Sequence, residues 1–273
     1  VMFDVSGTIT LSSPLSVAND VTIDGRGADI TVTGRGINVS NRNNVIIHNI
    51  KVKDVDDDAL KVYNSNNVWI DHVTLEDAGD GLLDITAQSY NVTVSWSHFR
   101  DHNKTMLIGA NNSHVEDEVI TVTLHHNLFE NTVRRNPFLR FGSVHMYNNV
   151  LRNWGEGAGG GDAVNSTYGS QILLENNVFV AGNNKVGVRN IIPKWAVVPG
   201  YVNAVGNLAL NGADVQSFSA DNVFTASNLY SYTLAVANQN LITAVDQYVG
   251  WQATEPPQDI GTDPGVTPTP NPD

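Results

Sequence analysis

A short strand pattern with alternating apolar residues recurs along the chain at intervals of 22 to 30 residues. The eight strands start with VTIDG at Val21, VIIHN at Val45, VWIDH at Val68, VTVSW at Val92, VTLHH at Val122, VHMYN at Val144, ILLEN at Ile172 and VNAVG at Val202. A strand-based repeat of this length is typical of a parallel β-helix, in which each coil stacks on the previous one. We therefore predict an all-β solenoid of stacked coils.

Asparagine and aspartate recur at two fixed positions relative to these strands. Just before the first four strands stand Asp20, Asn44, Asn67 and Asn91, and at the sixth position of four later strands stand Asn127, Asn149, Asn177 and Asn207. Both residue types tolerate the left-handed conformation of a sharp turn. Equivalent side chains on neighbouring coils would be about 4.8 Å apart and could hydrogen-bond as a ladder. The alternative architecture, a β-sandwich, does not predict asparagine at one recurring coil position.

A second set of strands carries most of the charged residues that could perform chemistry. Its members are DALKV from Asp58, DGLLDI from Asp80, KTMLIG from Lys104 and RNPFLRF from Arg135, with starts 22, 24 and 31 residues apart. On successive coils these four starts would form a column of two carboxylates followed by two cations. Asp84 and Arg140 would project from the outer coils of the same face. A slip of one residue in this register would turn a side chain to the opposite face.

The carboxylates of this column suit a calcium ion. Carboxylates one coil apart repel each other unless a cation lies between them. Ca²⁺ accepts six to eight oxygen ligands in loose geometry, and Asp58, Asp80 and Asp84 would form the core set, with Asp56 a possible fourth. The chain has no cysteine, and no histidine pair at zinc spacing lies near them. The alternative is that these carboxylates are solvated side chains in surface turns.

Positive charge is concentrated in the stretch VRRNPFLRFG, from Val133 to Gly142. Arg135 and Arg140 of this stretch, together with Lys104, could hold an anionic polymer that carries a carboxylate on each residue. Arginine binds a carboxylate through two parallel hydrogen bonds. The alternative is that these arginines pair with Glu130, Glu118 or Asp117. For Arg134 we favour that structural pairing.

Composition limits the classes of partner. With 28 acidic and 15 basic residues the formal net charge is -13, which argues against a nucleic-acid partner because phosphate contacts need a basic surface. No apolar run approaches the roughly 18 residues of a membrane span, so we predict no membrane partner. Six of the ten prolines lie in residues 255–273, which we interpret as a linker or tail after a domain of residues 1–254. A linker there suggests a further C-terminal module.

In their order along the chain, several motifs resemble the pectate lyases of polysaccharide lyase family 1. The motifs are VWIDHVTL, DGLLDIT, VTVSWSHF, DHNKTMLIG, VTLHHNLF, RRNPFLRFG and VHMYNNV, together with VMFDVSGTI, TIDGRGADI and YSYTLAVANQNLITAVDQYVGW. The resemblance covers residues 3 to 251. It departs from the family at Thr86, where many members carry a lysine that contacts substrate.

The resemblance implies a right-handed, single-stranded parallel β-helix that cleaves polygalacturonate by β-elimination and leaves a 4,5-unsaturated uronate end. By the family pattern, Arg135 is the base that takes the C5 proton, Lys104 and Arg140 hold substrate carboxylates, Asp58, Asp80 and Asp84 bind Ca²⁺, and Asp56 is an accessory ligand. Asp71 belongs to the motif VWIDH but is expected to serve structure. Crowding by cations would lower the pKa of such an arginine, and high pH would further favour its neutral form. We therefore expect an alkaline optimum. The resemblance further implies a secreted protein, which we expect to be a monomer.

Three other functions remain open at this point. A pectin lyase shares the fold and acts on methyl-esterified polymer, but that branch lacks the calcium carboxylates. A polygalacturonase needs a carboxylate pair and carries G-H-G and R-x-K signatures, neither of which occurs here. A β-helix that only binds an acidic glycan would have no need of Arg135.

Overall fold

The computed structural model describes residues 1–157, 161–190 and 198–254, and it is a solenoid of parallel strands. Each coil contributes one strand to an eight-stranded sheet and most contribute two to a 16-stranded sheet. Stacking of parallel strands buries the apolar residues of every coil in one continuous core. The predicted fold class, an all-β parallel β-helix, is confirmed.

The eight-stranded sheet consists of β3 Val21–Asp24, β6 Asn43–His48, β9 Asn66–Asp71, β12 Tyr90–Ser95, β14 Thr121–His125, β17 Ser143–Tyr147, β20 Gln171–Glu175 and β23 Tyr201–Val205. The 16-stranded sheet has two limbs that share one long strand, β13 His98–Ile108. The first limb adds β1 Gly7–Thr10, β4 Ile30–Gly34, β7 Lys51–Val55, β10 Thr74–Leu75, β15 Leu128–Arg134, β18 Val150–Arg152, β21 Val178–Val180 and β24 Leu208–Leu210. The second limb adds β2 Leu15–Ser16, β5 Ile37–Ser40, β8 Leu60–Tyr63, β11 Gly81–Thr86, β16 Phe138–Arg140, β19 Val164–Thr167 and β22 Val188–Arg189.

All eight predicted strand starts lie in one register column of the eight-stranded sheet. The column runs Val21, Val45, Val68, Val92, Val122, Val144, Ile172 and Val202. Alternate residues of each strand point into the core, so Val45 and Ile47 are fully buried. The alternation that marked these strands in the sequence is therefore the alternation between core and solvent.

Both predicted asparagine positions form ladders. At the buried position the side-chain amide of Asn127 donates to Asn149 at 2.9 Å, Asn149 to Asn177 at 2.9 Å, and Asn177 to Asn207 at 3.0 Å. At the exposed position the bonds run from Asn91 to Asn67, from Asn67 to Asn44, and from Asn44 to Asp20. The four residues of the exposed ladder have φ between 52° and 58°, as the turn prediction requires.

We expect Asn149→Ala to lower the free energy of unfolding by about 2–4 kcal/mol, because it leaves two buried donors of Asn127 without an acceptor. The Asn149 Oδ1 atom accepts from both the backbone and the side-chain amide of Asn127, at 3.0 and 2.9 Å. Denaturant unfolding measures the loss. Asn66→Ala is the control, because its side-chain bond to Asn43 is exposed and its loss is expected to cost less than about 1 kcal/mol. Equal costs at the two positions would contradict the ladder's role in stability.

One helix, α1 Gln239–Tyr248, packs against the outside of the first limb, and the sequence analysis did not predict it. Asn238 caps it by accepting from the amides of Asn240 and Leu241. Its buried residues, Leu241, Ile242 and Val245, form a second apolar cluster with residues of β15, β18 and β21. Three single-turn 3-10 segments span Val115–Val119, Ala220–Asn222 and Ala226–Asn228. Among the described residues no helix is long and apolar enough to cross a membrane, and the predicted tail 255–273 lies outside them.

Candidate active site

The outer face of the second limb carries the candidate site. In β8 the side chains of Leu60 and Val62 are buried, so Lys61 and Tyr63 point outward. The register continues this outward column across the coils from Lys61 to Asp84, Leu107, Phe138, Asn165 and Arg189. Charged, aromatic and amide groups therefore follow one another along the solenoid axis.

The predicted charge column is wrong by one residue at Asp80. Leu60 pairs with Leu83, which places Asp58 level with Gly81 rather than with Asp80, and the Gly81 amide donates to Asp58 Oδ1 at 2.8 Å. Gly81 in turn pairs with Lys104. Asp80 lies in the turn before β11 begins, and the hydrophobic pattern of the strand does not fix the length of that turn.

The column is also displaced by one residue at Arg135, because the chain bulges there. Lys104 pairs with Arg134 and Leu107 with Phe138, so three residue steps on β13 lie opposite four on the next coil. Arg135 occupies this bulge with φ at 65°, a conformation that non-glycine residues rarely adopt. Bulges occur next to active sites, where they redirect a side chain.

Three carboxylates form a cluster, and one of them, Asp58, meets a fourth, Asp84, at Gly81. Oxygens of Asp57, Asp58 and Asp80 all lie within 4.8 Å of one another. A Cβ atom on Gly81 would lie 2.7 Å from Asp84 Oδ1 and 3.0 Å from Asp58 Oδ1. Asp84 is only 9% exposed, and among the described residues its buried Oδ1 has no hydrogen-bond partner. A carboxylate oxygen without a partner, which meets Asp58 over a residue without a side chain, fits a bound hard cation such as Ca²⁺.

The carboxylates of the cluster repel one another, and a cation between them would stabilise their ionised forms. Burial and the neighbouring Asp58 carboxylate raise the pKa of Asp84 from 3.8 to about 7. Burial favours a higher pKa for Asp80, but the hydrogen bond and charge of Lys104 together with the charges of Arg135 and Lys61 outweigh it, so the net shift of the pKa is downward. Within the described part of the chain no cation contacts Asp84 directly, so its ionised form is destabilised by burial and by the neighbouring Asp58 carboxylate.

The structure places Asp56 apart from the other predicted ligands and brings in Asp57. Asp56 is exposed and pairs with Arg35 at 3.2 Å. Asp57, the middle residue of DDDAL, lies in the cluster with Asp58 and Asp80 instead. Three successive aspartates in a turn give no sequence signal for which of them points to the site, so Asp57 was missed.

The predicted cations surround the carboxylates. Lys104 Nζ donates to Asp80 Oδ1 at 2.5 Å, and His102 Nε2 lies 2.7 Å from the Asp80 carbonyl oxygen. Among the described residues the Arg135 side chain makes no hydrogen bond or ion pair, although its charge helps to lower the pKa of Asp80 and opposes the rise in the pKa of Asp84. Arg135 is therefore an uncommitted guanidinium that faces the cluster.

Arg140 lies farther along the same face. Its Nε donates to Asn112 Oδ1 at 2.7 Å, its Nη1 donates to the Gly109 carbonyl at 3.0 Å, and its guanidinium lies over the Phe138 ring. Burial, and then the charge of Arg135, lower its pKa. Part of the Arg140 fork is used to fix its position, which leaves the remaining N–H groups for an anion.

The expected pairing of Arg134 with Glu130, Glu118 or Asp117 is wrong. Glu130 pairs with Arg152 at 2.9 Å and with His98 at 3.3 Å, and Asp117 accepts from the backbone amide of Gln88. Within the described part of the chain Arg134 forms no ion pair, and its Nε is buried without a partner. The cause is the register, which sets Arg134 beside Lys104 rather than beside an acid.

A histidine cluster lies on a different part of each coil, at the end of the eight-stranded sheet. Asp71 Oδ2 accepts from His48 at 2.8 Å and from His72 at 2.7 Å, while Ser95 donates to its other oxygen. Two imidazole donors occupy the lone pairs of that oxygen. Asp71 thus has the structural surroundings that the sequence analysis expected.

We expect Gly81→Ala to weaken calcium affinity by at least about tenfold, because the new Cβ would fill the space that Asp84 and Asp58 share. Titration calorimetry with Ca²⁺ measures the loss. Gly7→Ala is the matched control, since its Cβ would meet nothing within 4 Å. Unchanged calcium affinity in Gly81→Ala would place the ion elsewhere.

The protein-family model described as pectate lyase matches residues 8–253 of the chain. "Pectate lyase 4" of Ambrosia artemisiifolia is 38% identical over 203 residues, which are 66% of this chain and 50% of the relative. The pectate trisaccharide-lyase of Bacillus licheniformis is 33% identical over 247 residues, 84% of this chain and 68% of the relative. The chain spans about half the length of the Ambrosia relatives that it matches.

Solved structures share the solenoid. The major allergen of cedar pollen, jun a 1, superposes with a TM-score of 0.80 at 27% identity, covering 92% of this chain and 80% of that one. A pectate lyase from Bacillus sp. N165, solved in complex with trigalacturonate, gives a TM-score of 0.68 at 28% identity, covering 90% of this chain and 83% of that one. Both likenesses extend over nearly the whole described chain.

Proposed function

The chain belongs to the pectate lyase family, and from this premise we propose that it cleaves α-1,4-polygalacturonate by calcium-dependent β-elimination to 4,5-unsaturated oligogalacturonates. The observation that carries the proposal is the Arg135 guanidinium, which has no partner among the described residues and faces the carboxylates of Asp80 and Asp84. A protein that only binds an acidic glycan could use this charge to hold a uronate but would need no base, so turnover distinguishes the two functions. The trigalacturonate complex of the Bacillus relative supports the substrate class.

Asp58, Asp80 and Asp84 would hold the calcium ion in this proposal, with Asp57 beside them and Asp56 farther away. Bound there, Ca²⁺ would draw electron density from the uronate carboxylate and so acidify the proton on the adjacent C5 carbon. Four carboxylates without a divalent cation would repel a polyanionic substrate. The requirement for metal thus follows from the charge of the site itself.

Three basic residues of the chain would then have separate roles in the elimination. Arg135 takes the C5 proton, a double bond forms between C4 and C5, and the bond from C4 to the glycosidic oxygen breaks as that oxygen takes a proton from solvent. Lys104 and Arg140 hold substrate carboxylates, so that the charge developing during proton loss lies beside fixed cations. An arginine must lose a proton before it can accept one, and the rate should therefore rise toward alkaline pH.

Residues 1–254 would form the catalytic domain, followed by the proline-rich residues 255–273 as a linker or tail. A polymer of the plant cell wall lies outside the cell that degrades it, so the proposal includes secretion. We further propose that the protein acts as a monomer, without nucleic-acid or membrane partners. Pectin lyase, the alternative activity, acts on esterified and therefore neutral residues, which would give no use to the carboxylates around Gly81.

Ultraviolet absorbance of the unsaturated product tests the proposal on polygalacturonate at alkaline pH, first with Ca²⁺ and then with chelator. Absorbance that rises with Ca²⁺ and stops with chelator supports calcium-dependent elimination. Release of reducing ends without absorbance would identify a hydrolase instead. Folded protein that gives neither signal would overturn the lyase assignment, and activity on methyl-esterified polymer alone would support pectin lyase.

A further inference from the structure

Two lysines, not one, are tied to the carboxylates of the candidate site. Lys104 binds Asp80, and Lys61 Nζ lies 2.8 Å from Asp58 Oδ2. The second lysine stands in DALKV, where the sequence pattern marks it only as an outward residue of a strand. Asp58 is 6% exposed, so its charge depends on this ammonium and on the Gly81 amide at its other oxygen.

Lys61 also belongs to the face on which substrate would lie. It is the register partner of Asp84 on the next coil, and its side chain is 32% exposed. Tyr63, two residues farther on the same outward face, is 46% exposed. An ammonium and an aromatic ring that neighbour each other in this way are suited to a uronate residue, one for the carboxylate and the other for the sugar ring.

The ion pair and a metal at this site need the same carboxylate. A divalent cation bound between Asp58, Asp80 and Asp84 carries twice the charge of the ammonium and would take over Asp58. The Lys61 side chain is long and only partly buried, so its ammonium can turn outward from Asp58 along the face. There it would lie one coil from Asp84 and in reach of an anion held beside the metal.

From this geometry we propose that Lys61 is a further substrate-binding residue, which competes with the metal for Asp58 and, once displaced, binds a uronate carboxylate next to it. The inference rests on the proposed function, since it takes the calcium site and the acidic substrate from there. It adds a coupling between metal binding and substrate binding. Metal binding at Asp58 would release the Lys61 ammonium, which would then help to bind the polymer.

Lys61→Gln separates the two roles, because it should change two affinities in opposite directions. Without saccharide, calorimetry should show calcium binding about tenfold tighter, since the ammonium that pairs with Asp58 at 2.8 Å is gone. At saturating Ca²⁺, trigalacturonate should bind about fivefold more weakly, because one carboxylate partner is lost. The saccharide measurement uses an Arg135→Lys background, in which turnover does not consume the ligand.

Two controls accompany this variant. Lys51 forms a similar ion pair outside the cluster: its side chain is 28% exposed, and its Nζ lies 2.7 Å from Asp29. Lys51→Gln should therefore leave both the calcium and the trigalacturonate affinity unchanged. Lys61→Arg keeps the charge and should retain wild-type calcium affinity, and it replaces Lys61→Gln as the test if the latter fails to fold. For Lys61→Arg, weaker or stronger calcium binding by more than a few fold would contradict competition by charge.

The outcomes distinguish this inference from the proposed function. A wild-type protein that binds no Ca²⁺ would overturn the calcium site itself. If the wild type binds Ca²⁺ but Lys61→Gln binds it no more tightly, the competition is refuted while the lyase proposal stands. Unchanged trigalacturonate affinity would refute the substrate role of Lys61 in the same way.

Discussion

Arg135→Lys is expected to lower kcat on polygalacturonate by about 10³-fold, within the range that a positioned general base contributes. The bulge at Arg135 presents a planar guanidinium, with nitrogen atoms far from the backbone, to the carboxylates of Asp80 and Asp84. A lysine in its place retains the positive charge but is a compact ammonium of different reach. Binding of substrate should persist, because the charge that attracts the uronate remains.

The measurement is the initial rate of absorbance increase at saturating Ca²⁺ over a range of substrate concentrations, which gives kcat and KM. A large loss of kcat with KM within about threefold of wild type identifies an interaction made in the transition state. Arg134→Lys is the matched control, because its residue is adjacent in sequence but lies in register with Lys104 and outside the bulge. We expect this control to keep kcat within about threefold of wild type. If both variants lose rate equally, the effect comes from the charge of the strand and not from a base at Arg135.

The repeating parts of the fold could be predicted from the sequence because each coil provides the same physical signal. Val45 and Val68 are buried at equivalent positions, and Asn44 and Asn67 adopt the same left-handed turn. Every coil thus repeats the pattern of the previous one, and eight repetitions fix the register even though the spacing varies. A single strand would not have carried this information.

The irregular parts of the site could not be predicted in the same way. The bulge at Arg135 and the turn at Asp80 each change the register by one residue without changing the hydrophobic pattern of the flanking strands. The residue types still identified Asp80 and Arg135, because the proposed chemistry needs a carboxylate and an arginine whatever their exact register. The position of Gly81 beneath the carboxylates and the pairing of Lys61 with Asp58 depend on contacts between coils, which no single stretch of sequence contains.

Asp84→Asn is expected to reduce calcium affinity by at least about 100-fold and to lower activity to a comparable degree at fixed Ca²⁺, because ligand charge sets the strength of such a site. Among the residues that the structure describes, its buried Oδ1 has no partner. The amide keeps the shape of the side chain and removes the charge. Asp56→Asn is the control. Asp56 is exposed and pairs with Arg35, and its loss should change calcium affinity by less than about threefold.

The same substitution should have the opposite effect on stability in the presence of chelator. Burial and Asp58 raise the pKa of Asp84 to about 7, above the 3.8 of an ordinary aspartate. An acid whose pKa is raised by folding destabilises the native state as the pH rises through this interval, and the full effect, up to about 4 kcal/mol, is reached above pH 7. Asparagine cannot ionise, so Asp84→Asn should unfold at a higher temperature than wild type at pH 8 and at an equal temperature near pH 4.

These two effects together distinguish a metal ligand from a structural carboxylate. Loss of a structural aspartate would lower stability with chelator and with Ca²⁺ alike, whereas loss of a ligand removes only the stabilisation that Ca²⁺ adds through binding to the native state. Thermal unfolding of both proteins at pH 8, with Ca²⁺ and with chelator, gives all four values in one experiment. If Asp84→Asn is less stable than wild type in chelator, the buried carboxylate has an unseen partner and the case for calcium at Gly81 is lost. If it is more stable in chelator and gains nothing from Ca²⁺, the repulsion among these carboxylates is what the metal relieves.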